Sequence, residues 1–184
     1  MENSVTPRNH ELEPAVSFVI RPIDWNADLP ALDPLLDDRD RQRMPALKQC
    51  TQEGDAEVLV AEAIGYGIVG RITSHYRFRI EMGWLPDADT EHFQSPGNAY
   101  IETLMVEASL RGKGIGKLLL DAAISNGIKR GIKLFGLHTD EGNHGARRFY
   151  ERDGWKLQSI VRPAWSNGSL MCVYALQYNT DDAE

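Results

Sequence analysis

The chain has 184 residues, 42% hydrophobic and 26% charged, which fits one domain with a true core and does not fit a disordered chain. Its net charge of −7 sets nucleic-acid binding aside, and its two cysteines, Cys50 and Cys172, stand outside any C-x-x-C or Cys/His spacing, so neither a disulfide framework nor a metal site is expected. The polar first residues and the lack of any apolar run near the ~20 residues that span a bilayer make the cytoplasm the expected compartment, with no membrane partner.

Residues 1–14 read as a flexible tail and 15–184 as one domain. "AVSFVIRPI" (15–23) alternates and is rich in β-branched residues, the pattern of a strand. Asp24 stands where a helix N-cap would, ahead of an irregular helical stretch from about 27 to 53 that Pro30, Pro34 and Pro45 are expected to break into short pieces. "AEVLVAEAI" (56–64) and "GIVGRITSHY" (67–76) form a hairpin, and 77–98 read as an extended loop.

"AYIETLMV" (99–106) is a strand, followed by a glycine stretch and a helix to about Arg130. Ile115, Leu118, Leu119, Ala122 and Ala123 make its apolar stripe, widened by Leu120, Ile124 and Ile128. "KLFGLHT" (133–139) is a strand, "HGARRFYERDG" (144–154) a short helix, and "WKLQSIVRP" and "LMCVYALQY" two last strands. The strand-helix-strand unit over 99–139 joins parallel strands by a right-handed crossover in a mixed α/β protein.

"LRGKGIGKLLL" (110–120) places Gly112, Gly114 and Gly116 just before that helix. A helix N-terminus offers unpaired N–H groups and partial positive charge, and bare glycines let an anion such as a pyrophosphate come close. Charge agrees: residues 111–133 hold Arg111, Lys113, Lys117, Lys129, Arg130 and Lys133 against Asp121 alone, net +5, which leaves −12 on the rest. The P-loop spacing fails, because Lys117 stands where its second glycine is needed, and the G-x-G-x-x-G dinucleotide fingerprint lacks its third glycine.

The stretch instead reads [RQ]-x-x-G-x-[GA] between a strand and a helix. With "ETLMVEASLRGKGIGKLLL" and, downstream, "NHGARRFYERDGW" (143–155), the chain resembles the GNAT superfamily of acyl-CoA-dependent N-acyltransferases over most of its length. Ala108 stands where that family often has proline.

The resemblance implies a mostly antiparallel sheet with a central parallel pair, strands 99–106 and 133–139, that splay apart. It places the pantetheine of acetyl-CoA against Leu104, Met105 and Val106. The pyrophosphate would lie on Arg111, Gly112, Lys113, Gly114, Ile115, Gly116 and Lys117, and Asn143 beside the cofactor arm, although Asn143 is also a natural helix N-cap. Tyr150 matches the tyrosine that protonates the coenzyme A thiolate, and Glu102 the glutamate that deprotonates the amine through water. Period-2 alternation puts Glu102, Leu104 and Val106 on one face. His75 and His138 are runners-up for the base. The expected activity is direct transfer of the acetyl group from acetyl-CoA to a primary amine of a small molecule or peptide, in a ternary complex; a non-catalytic acyl-CoA sensor on the same fold is the alternative. A homodimer through "VRPAWSNGSLMCVYALQY" is also expected.

Overall fold

The computed structural model describes residues 17–77, 97–163 and 166–178; the expected tail and most of the expected 77–98 loop lie outside them. Seven strands form one sheet in the order β1-β2-β3-β4-β5-β7-β6. They are β1 (Phe18–Pro22), β2 (Ala56–Ala63), β3 (Gly67–His75), β4 (Asn98–Val106), β5 (Leu134–Asp140), β6 (Lys156–Val161) and β7 (Met171–Gln177). Every pairing is antiparallel except β4 with β5, which α3 (Ile115–Lys129) connects. The mixed sheet with its single parallel pair is the expected architecture.

Alternation along β2 shows how the layers form. Leu59 joins the main core with Ile115, Leu119, Leu120 and Ala123 of α3 and Tyr150 of α4 (His144–Arg152). Its neighbours Val58 and Val60 point the other way, Val58 against Leu47 and Cys50 of α2 (Asp38–Glu53) and Val60 against Leu32 of α1 (Leu29–Leu32). The sheet therefore has α3 and α4 on one face and α1 and α2 on the other.

Three local expectations are corrected. Asp24 caps no helix; its carboxylate accepts from the N–H groups of Asn26 and Ala27 in a turn, and α2 is capped by Asp37, which accepts from Asp40 N. Pro45 lies inside α2 without ending it. The residue is exposed, so the Arg41 carbonyl that its missing N–H leaves over is on the wet side of the helix. Leu118 is 46% exposed rather than part of the buried stripe, whereas Leu120, on the other flank, is fully buried. Farther along α3, Gly127 packs so closely on β5 that a Cβ there would sit 2.6 Å from the Phe135 ring.

The most consequential correction concerns β4. Opposite β3, Thr103 pairs with Thr73, but the next rung is Ile101 with Ser74, so Glu102 is an extra residue in a β-bulge. An added residue reverses the alternation. Leu104 pairs with Ile72 and packs with Ile101 and Val106 on the α3 face, while Glu102 turns to the α2 face with His75 and Tyr100. Glu102, Leu104 and Val106 do not share a face.

Candidate active site

Backbone pairing between β4 and β5 runs from Asn98↔Leu134 to Ile101↔Leu137 and stops there, although β4 continues to Val106 and β5 to Asp140. The two strands fork. From Glu102 onward, among the described residues, β4 pairs with β3 alone, which leaves its other edge open toward the gap. An extended ligand can add to such an edge as a short strand does.

The anion cradle stands beyond the end of β4. Gly112 and Gly114 have φ of +79° and +85°, the left-handed region that glycine occupies without strain. Gly114 is the N-cap of α3 and no side chain among the described residues caps that helix, so its first N–H groups are left for a ligand. Gly116 differs: it is helical, and a Cβ there would meet Val106 at an ordinary 3.8 Å, so the fold itself does not demand glycine. An uncapped N-terminus behind two left-handed glycines fits a pyrophosphate.

Two of the expected cationic side chains are engaged within the protein. Lys117 is paired with Asp121, and with Asp153 at 2.9 Å; Arg111 Nε donates to the Val106 carbonyl at 3.1 Å. That leaves Lys117, in the first turn of α3, its backbone N–H to offer an anion. Lys113 is exposed. Asn143 is the N-cap of α4, its Oδ1 accepting from Ala146 N at 3.1 Å.

Tyr150 lies on α4 with its ring packed edge-on against Phe149 and Trp155, with centroids 5.2 and 5.8 Å apart, and beside Tyr174. The residue is only 8% exposed, yet no hydrogen bond holds its hydroxyl among the described residues. Burial pushes its pKa up to about 12, so the hydroxyl keeps its proton at neutral pH. Its electrostatic influence reaches Tyr100, which sits at the fork.

On the α2 side of the sheet Glu102 is the centre of a network. Its Oε1 accepts from Arg43 Nη1 at 2.6 Å, and its Oε2 lies 2.9 Å from His75 Nε2. His138, the other candidate base, is on β5 with its Nδ1 3.0 Å from the Tyr100 hydroxyl. Buried Arg71 of β3 pairs with Asp40 of α2. The structure thus brings Glu102, His75, Tyr100 and His138 together at the fork and adds Arg43, Asp40 and Arg71, which the sequence reading had not singled out. One signal was available: Asp40 and Arg43 precede Leu47 and Cys50 at helical spacing, putting two charges on the buried stripe of α2.

A sheet forked at a parallel pair, with a helix N-terminus at one end and a buried tyrosine beside it, is the architecture of an acyl-CoA-dependent transferase. Residues 24–155 match the model of the acetyltransferase (GNAT) family, and the chain belongs to that family. A stretch of 64 residues is 36% identical to an uncharacterized N-acetyltransferase, MJ1207, of Methanocaldococcus jannaschii; it covers 35% of this chain and 28% of the length of that relative. Among solved structures, Ard1 from Thermoplasma volcanium superimposes with a TM-score of 0.67 at 18% identity, over 89% of this chain and 99% of the other. Arabidopsis thaliana NAA60 in complex with a bisubstrate analogue gives 0.65 at 20% identity, over 89% and 99%. These likenesses show the fold. Among the described residues no group of side chains is arranged to hold a metal ion, and no helix is long and apolar enough to cross a membrane.

Proposed function

We propose that this chain moves the acetyl group of acetyl-CoA directly to a primary amine of a small molecule or peptide, both substrates being bound together at the fork. Acetyl-CoA supplies the activated acyl group as a thioester. The uncapped α3 N-terminus and Gly112–Gly114 hold its pyrophosphate, with Lys113, Ile115, Gly116 and Lys117 lining the cradle. The open edge of β4 at Leu104, Met105 and Val106 takes the pantetheine arm, and Asn143 flanks it.

Two proton movements are needed. Glu102, directly or through water, takes the proton that the amine must lose to attack. Each of its oxygens accepts one hydrogen bond and has capacity for another, so the network around it does not block that role. Tyr150 gives its proton to the leaving thiolate. The observation that carries this reading is Tyr150: its ring is buried beside a fork with an open strand edge, and its protonated hydroxyl has no hydrogen-bond partner among the described residues. Homodimerisation is also proposed; because β7, the strand within the expected 161–178 segment, is paired on both sides by β5 and β6, it would use the outer strand β6 instead, where Leu157 and Ile160 are exposed.

The test is Tyr150→Phe, which keeps the ring and its packing. kcat should fall ~10²–10⁴-fold with acetyl-CoA affinity and melting temperature nearly unchanged, and the loss should shrink with acyl donors whose leaving thiol is more acidic. Full activity would remove Tyr150 from the mechanism.

A further inference from the structure

Arg43 and Glu102 are 59 positions apart in sequence and come from different layers, yet they meet at 2.6 Å with both side chains largely buried. Glu102 sits on a bulge, where an extra residue loosens the constraint that a regular ladder places on a side chain's direction. Its carboxylate is instead pinned from two sides, Oε1 by Arg43 of α2 and Oε2 by His75 of β3.

Arg43 is itself fixed. One turn before it Asp40 pairs with Arg71, a residue only 2% exposed, and one turn after it Leu47 and then Cys50 pack against Ala56 and Val58. Residues 40, 43, 47 and 50 share one face of α2, so an ion pair and an apolar contact clamp the helix on either side of the guanidinium. Burial of Arg43 is unfavourable, and the Glu102 carboxylate offsets part of that cost.

We infer that Arg43 is a positioning residue, which aims the Glu102 carboxylate at the acceptor amine and ties that aim to the seating of α2 on the sheet. The inference rests on the reading of Glu102 as base. It separates two roles that a single ion pair would merge: Glu102 meets the amine, and Arg43 acts only through Glu102.

The experiment is a double-mutant cycle in the full chain with a turned-over amine, comparing Arg43→Gln, Arg43→Lys, Glu102→Gln and each of the two arginine variants combined with Glu102→Gln. Arg43→Gln should lower kcat/KM for the amine about 100-fold, the scale of an active-site misplacement of ~1 Å, mainly through kcat and without changing acetyl-CoA affinity. Arg43→Lys, which keeps a cation for the same oxygen, should recover most of the loss. In the Glu102→Gln background, Arg43→Gln should have almost no further effect. Additive losses, failure of lysine to rescue, or a loss confined to the KM for the amine would overturn the positioning role and leave Glu102 as base. Full activity of Glu102→Gln would overturn the base reading and the inference with it. Should Arg43→Gln fail to fold, Arg43→Lys decides: a kcat loss that vanishes in the Glu102→Gln background supports the role, and a loss that persists there overturns it.

Discussion

The Tyr100 hydroxyl and His138 Nδ1 lie 3.0 Å apart, joining β4 to β5 by side chains at the place where their backbones part. The rings meet edge-on with centroids 5.7 Å apart. Burial drives the tyrosine pKa upward, so the phenol keeps its proton and the bond persists through neutral pH. The pair closes the narrow end of the fork, and its tyrosine lies within electrostatic reach of both the proposed acid, Tyr150, and the proposed base, Glu102.

Removing that hydroxyl should therefore loosen the fork. Tyr100→Phe is expected to cost about 1 kcal/mol of stability, the usual worth of one hydrogen bond, while the hydrophobic packing of the ring survives. Denaturant unfolding would show a lower midpoint at an unchanged slope. An unchanged midpoint would mean that backbone pairing alone holds the fork.

The cradle makes a charge-specific prediction. Gly114 has φ of +85° and open space around an added Cβ, so the cost of a side chain there is conformational rather than steric. Asn and Asp both tolerate the left-handed region better than other residues do. Gly114→Asn should keep measurable acetyl-CoA affinity, whereas Gly114→Asp should bind on the order of tenfold more weakly still, because its charge opposes the pyrophosphate. Calorimetric titration of both variants checks this; equal affinities would move the anion away from the α3 N-terminus.

Alkaline stability follows from Tyr150. Its pKa is raised to about 12 in the folded chain, against about 10 when unfolded. Between those values the unfolded chain has lost the proton and the folded chain retains it, so unfolding releases a proton and stability falls as pH rises. The contribution is fully present below pH 10 and gone above about 12. Tyr100 and Tyr76 are raised by burial as well and add to the slope in the same direction. Tyr150→Phe should flatten the loss of stability between pH 10 and 12, by about 2–3 kcal/mol across the window. A wild-type slope in that variant would place the phenol in water.

The residue pattern alone determined the order of strands and helices, the glycine cradle and the two family motifs. All three rest on contacts between residues close in the chain: period-2 and period-3.6 alternation, turn glycines, and a helix start that follows its strand within about ten residues. Even there Pro45 misled, because a proline's missing bond matters little on a helix face that water reaches. Only the tertiary structure decided the direction of Glu102. The alternation that puts it beside Leu104 holds for an unbroken ladder, and the bulge exists only where β3 pairs with β4 across nearly thirty intervening residues. The partner of Arg43 was illegible for the same reason. The place of the arginine on α2 is local, but that partner is 59 positions away, and nothing near either residue in sequence records which two layers the sheet will bring together.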